Sequence, residues 1–452
     1  MRRAALLMTI LPGPAAAHAT DQAFVLLLPT DVYRAAGVAA VALTVAALFL
    51  VPDRMTRRVF AHRPGPARAP GPLATTVSLC VMTLFAGLIL LGLTGPRDPL
   101  SNLLPLTFWT LFWAGLIGLS GFFGNLWTGL NPWTGLYRLI RPRWRQRPIP
   151  ASWGFWPATL LLAGFTAFLL ADIAPDDPAR LARLLALYWL FTMAGLLACG
   201  PSWIERVEVF HAIISTYARL TVISRGAPAG IGGPGWQLLT PQPVAAGAFV
   251  LTLLAAGSFD GLNETFLWLG LIGVNPLEFP GRSAVVGPTL AGLFATLALL
   301  FAAFALTVWL GLRLGGRTAP FGTAFARLAL SLLPIALVYH IAHYLPSFLV
   351  NIQYTLAALS DPLGRGADFL GLGDFHVTTG FFNRLDTVRL LWLTQAGLVV
   401  LGHVWSVLLA HRIGLDLFGQ GRRAAWATLP LSLFMIGYTF LGLWLLAAPR
   451  GA

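Results

Sequence analysis

The stretch ARLALSLLPIALVYHIAHYLPSFLV, residues 326–350, holds a single charged residue, Arg327, and is apolar almost throughout, yet it carries His340 and His343. At a rise of about 1.5 Å per residue it outreaches the roughly 30 Å hydrocarbon core of a bilayer, and it is too long for one strand. It reads as a membrane-crossing helix. Working outward, further apolar runs lie near 35–52, 73–94, 102–121, 155–172, 184–199, 243–257, 288–311, 388–410 and 426–447. Composition agrees: hydrophobic residues make up 57% of the chain and charged residues 10%, with a mean hydropathy of +0.75. Such a chain has lipid for most of its solvent. The expected fold is all-α, a polytopic transmembrane helical bundle of about ten spans.

Charge sets the expected topology. All basic residues are arginines, and the net charge of +13 is spread between apolar runs rather than gathered in a stripe, which argues against nucleic-acid binding. Arg54, Arg57, Arg58, Arg63 and Arg68 follow the first run; Arg138, Arg141, Arg143, Arg145 and Arg147 follow the third; later odd-numbered loops continue the pattern. The alternate loops carry Asp172, Asp176, Asp177, Asp260, Glu264, Glu278, Asp361, Asp368, Asp374 and Asp386. By the positive-inside rule the arginine loops face the cytoplasm, so both ends of the mature chain are expected in the periplasm of a bacterial inner membrane. The start, MRRAALLMTILPGPAAAHAT, has the pattern of a secretory leader over residues 1–17, with Ala15-Ala16-Ala17 as cleavage site. Cleavage there leaves His18 at the terminus, where amine and imidazole together form a copper-chelating pair; cleavage after Ala19 removes it. Residues 18–452 then form one membrane domain, with interfacial helices expected near 131–145 and 203–223, the second carrying His211 at its surface. GIGGPG, residues 230–235, follows no strand and contains Pro234, so it reads as a loop rather than a nucleotide site. Cys80 and Cys199 sit in apolar runs and form no CxxC, and read as buried apolar residues.

In a helix, His340 and His343 share one face. An imidazole in hydrocarbon needs a partner, and an intramembrane histidine is a functional candidate for that reason. A hydroxyl or carbonyl on a neighbouring helix suffices for one ring; a pair serves equally as metal ligands or proton carriers. His340 is expected about 21 Å above the cytoplasmic edge and His403 about 22 Å below the periplasmic one, so the two do not share a site. His411, beside Arg412, is expected at the solvated inner interface. His376, in the outer loop with Asp361, Asp368 and Asp374, stands on the side of His340 and His343. These residues suggest a transition-metal site, copper or zinc, built from His340, His343 and His376 with His18 or Asp374, and Asp374 or Asp361 as proton acceptor. The alternative is an exposed His376 and a pair satisfied by packing. Asp260 and Glu264, four apart in SFDGLNETFLW, fit an acid–base pair, a cation site or a helix end. No HExxH, GxSxG, Walker or EF-hand string is present.

NPW (131–133), SFDGL (258–262), AHY (342–344), SDPLGRGADFLG (360–371), GHV (402–404) and YTFLGLWLL (438–446) together resemble bacterial integral membrane proteins labelled fenitrothion hydrolase. The resemblance runs from the leader to the last span and implies a membrane-bound hydrolase of apolar phosphotriesters, which reach it through the bilayer; it brings no catalytic residues with it. With the metal site added, a bound water would be the nucleophile. The other readings are a protein that handles or transports a transition metal, with His403 continuing the path inward, and a structural membrane subunit of unknown partner.

Overall fold

In the computed structural model the described residues are 25, 28–67, 71, 73–226, 228–278, 281–316 and 319–450. Ten apolar helices form an all-α polytopic bundle: α1 (Thr30–Ala47), α2 (Leu73–Thr94), α3 (Leu103–Phe123), α4 (Trp156–Ala171), α5 (Pro178–Cys199), α6 (Val244–Leu262), α7 (Arg282–Leu314), α8 (Phe321–Ser360), α9 (Leu385–Phe418) and α10 (Arg422–Ala447). Among the described residues nine of these are long and apolar enough to cross a membrane; α4, with 16 residues, is the shorter one. Local chemistry sets several starts. Asp177 accepts from the Arg180 N–H ahead of Pro178, and Asn102 accepts from Leu104 N–H, each satisfying a donor that the first helical turn leaves open.

Burial is uneven, and the unevenness locates the interior. In α2 only 11% of the best apolar window is buried and Leu84 and Leu90 lie bare, as a lipid-facing helix should. In α6 and α8 the corresponding shares are 72% and 78%. These two central helices carry Asp260, His340 and His343.

The arginine-rich connections meet one another. Strand β1 (His62–Pro64), after α1, and β2 (Ile223–Ser224), after α5, both pair antiparallel with β3 (Gly230–Gly232), and Gly421 N–H bonds Asp53. Asp416 gathers Arg327 at 3.1 Å, Arg57 at 3.7 Å and Arg412 at 2.5 Å. The acidic connections meet likewise: Phe266 N–H reaches Pro449 O, Arg282 reaches the carbonyls of Leu169 and Leu170, and Gly364 packs on Pro96. Alternate loops thus contact one another in two sets.

Three expectations change. The GIGGPG loop supplies a strand, because its glycines let β3 lie flat against Arg63 and Pro64 on one side and Ile223 on the other. The helix Val209–Tyr217, expected at the interface, is buried along most of its length, and His211 is half-buried rather than on the surface. Its start is held by Glu208, whose carboxylate accepts from Phe210 N–H, His211 N–H, Trp127 Nε1–H and Tyr188 OH. Cys80 is exposed and Cys199 half-exposed.

Candidate functional site: an aspartate–histidine pair inside the bundle

His343 Nε2 lies 3.1 Å from Asp260 Oδ2, with side-chain exposures of 10% and 18%. The carboxylate accepts, so the ring places its Nε2–H there. Tyr344 OH donates to the same oxygen at 2.6 Å. The other ring nitrogen, Nδ1, is buried without a partner among the described residues. A histidine fixed through one nitrogen by a carboxylate and bare at the other is the arrangement of an oriented general base.

His340 turns elsewhere, to α3. Residues Leu106–Leu116 of that helix are π-helical, and Ile117 N–H still reaches back five residues to Phe112 O. The return to α-helical spacing at Ile117 leaves one carbonyl without a donor in its own helix. The Trp113 carbonyl accepts His340 Nε2–H at 2.9 Å, which fixes that ring's tautomer as well. Tyr344 packs edge-on between the two imidazoles at 4.9 and 4.8 Å, and Tyr339 stacks on His343 at 5.9 Å.

The backbone is held by a second device. Pro346 has no N–H to offer Ala342 O, four residues back, and Gln395 Nε2–H of α9 takes that carbonyl at 2.7 Å. The substitution ties α9 to α8 one residue from His343.

His343 lines two cavities. One, of about 40 Å³, is walled by Trp113, Tyr217, Tyr339, Tyr344, His340 and Asp260 and has room for a few waters. The other, of about 190 Å³, is lined by Phe382, Trp392, Gln395, Leu446 and Arg450 among others. Arg450 and Glu264 are within electrostatic reach of Asp260.

The expected metal centre does not come together among the described residues. Among the described residues no three His, Cys, Asp or Glu side chains stand together as a ligand set. His340 and His343 diverge to partners on α3 and α6, and exposed His376 turns its Nδ1–H onto Asp374 O at 2.7 Å within its own loop. His18 lies outside the described residues. Asp361 is occupied by its own turn, accepting from Arg365 N–H and Gly366 N–H, and Asp374 is exposed in the loop. His411, expected at a solvated edge, is 1% exposed.

The sequence offered Asp260 as one of two acids, but nothing in the spacing joined it to a histidine 83 positions later. Trp113, Gln395 and Arg450 carried no signal at all. Compared with known proteins, the chain matches no family model, no curated protein and no solved structure.

Proposed function

We propose that this chain is a membrane hydrolase of apolar esters in which His343, aligned by Asp260, takes the proton of an attacking water. The observation that carries the reading is His343 Nδ1, without a partner among the described residues and beside both cavities, while its Nε2–H is spent on Asp260. Water attacks the ester's central atom as His343 Nδ1 accepts its proton; Asp260 stabilises the imidazolium, and the leaving group departs with the electron pair of the broken ester bond. Arg450, in the larger recess, is placed to draw charge from an anionic or phosphoryl oxygen. Phe382, Trp392 and Leu446 give that recess an apolar wall. The resemblance to fenitrothion hydrolase-labelled proteins makes a phosphotriester the first substrate to try, reached from the bilayer. Among the described residues the donors expected for a metal do not stand together, so no step runs through one. By the arginine loops, the site lies in the periplasmic half of an inner membrane.

The test is release of 4-nitrophenolate from a diethyl 4-nitrophenyl phosphotriester by purified protein in lipid nanodiscs. His343→Gln and Asp260→Asn should each lower kcat/KM by about 10²–10⁴-fold. Wild-type turnover no faster than His343→Gln would reject the reading.

A further inference from the structure

Helix α9 carries three buried polar residues that the proposed hydrolysis does not use. His403, 1% exposed, spends its Nδ1–H on Val399 O at 2.8 Å, and among the described residues its Nε2 has no partner. Among the same residues Ser406, fully buried, has no partner for its hydroxyl, and His411, 1% exposed, has none for either ring nitrogen. One such atom in a protein interior is costly; four on one helix, over about 12 Å from residue 403 to 411, call for an explanation other than stability.

Both ends of this stretch meet titratable groups. Above it, the Tyr438 ring on α10 lies 6.4 Å from that of His403, and its hydroxyl hydrogen-bonds Ser258, two residues before Asp260 on α6. Tyr339, stacked on His343, stands within electrostatic reach of both Tyr438 and Asp260, and its own hydroxyl has no partner among the described residues. Below it, Asp53 is in electrostatic reach of His411, at the face where Arg412 pairs with Asp416.

We infer that α9 conducts protons between the Asp260–His343 pair and the Asp53 face, by way of Tyr339, Tyr438, His403, Ser406 and His411 with water between them. His403 receives each proton on Nε2 and gives it up from the same nitrogen, its Nδ1–H staying on Val399; Ser406 relays it, and His411, with both nitrogens unengaged, delivers it toward Asp53. No covalent bond other than those to hydrogen changes, and the net event is one proton moved across the bundle. This path shares its upper end with the proposed hydrolytic site, but His403, Ser406 and His411 line neither cavity of that site.

The protein, reconstituted in liposomes enclosing a pH-sensitive dye, is given a potassium gradient and valinomycin, and internal pH is followed. Proton flux should exceed that of protein-free liposomes. His403→Phe and His411→Leu should each cut the protein-dependent rate at least tenfold, and Leu401→Ala, on the exposed side of α9, should leave it unchanged. Should either variant fail to fold, His403→Gln and His411→Gln keep polarity and approximate volume without a site that titrates, and the same loss is expected. Flux at the protein-free level, or wild-type flux in the histidine variants, overturns the inference. Phosphotriester turnover of the same variants in nanodiscs separates the two proposals: the flux result stands whether or not the ester is cleaved.

Discussion

The link between Pro346 and Gln395 can be tested with a single thermodynamic cycle. Ala342 is fully buried, and its carbonyl is left open because residue 346 is a proline; among the described residues Gln395 supplies the donor, at 2.7 Å. Gln395→Ala therefore strands a buried acceptor, a loss of about 1–3 kcal/mol. Pro346→Ala restores a backbone N–H four residues along, where an α-helix directs it at that same carbonyl. In that background Gln395→Ala should cost at least 1 kcal/mol less, giving a coupling energy of about 1–2 kcal/mol. Unfolding by sodium dodecyl sulfate in mixed micelles, read by tryptophan fluorescence, measures all four corners. If the two single costs add to within about 0.5 kcal/mol, the side chain is not standing in for the missing N–H, and the account of how α8 is held beside His343 is wrong.

Other consequences follow from other parts of the fold. Glu208→Ala removes the acceptor of four donors at once, two of them backbone, and should destabilise by about 3 kcal/mol or more, seen as a lower unfolding midpoint; Glu208→Gln should recover part of it. Gly311→Ala drives a Cβ into Ala427 O, where α7 and α10 touch through backbone, and should cost about 1–3 kcal/mol by the same measurement. The outer loop should loosen in acid. The Arg365 and Gly366 N–H groups hold the Asp361 carboxyl below its ordinary range, and the Ser360 hydroxyl with Gly373 and Leu372 N–H does so for Asp368. Both pKa values are lower folded than unfolded, so their stabilisation is complete above about pH 4 and lost as pH falls through the folded values. Hydrogen exchange at Arg365, Gly366, Leu372 and Gly373 should lose protection there, while Asp361→Asn and Asp368→Asn should lose it already at neutral pH.

How much of this was legible in the sequence depended on the range of the interaction involved. Apolar length is a local property, so all ten helices could be placed near their positions, although α7, α8 and α9, at 33, 40 and 34 residues, are longer than the apolar runs that announced them. The paired loops followed from charge, which is also local. The partner of His343 was not legible, because Asp260 reaches it through the packing of α6 on α8, and no residue between them encodes that distance. The same limit misled the reading of His340 and His343 as one site. Helical spacing puts them on one face, but His340 is drawn off by a carbonyl that only a π-helical stretch in α3 could free, and LTFWTLFWAGL gives no proline or glycine pair to announce it. A same-face pair is therefore a necessary condition for shared ligation and a poor sufficient one: each ring goes to the strongest acceptor within reach, and in a buried bundle that acceptor belongs to whichever helix is nearest. Had Trp113's carbonyl been closed by its own helix, His340 would have lost that acceptor and been left to compete with His343 for Asp260; the division of the two rings between α3 and α6 is what leaves His343 Nδ1 uncommitted.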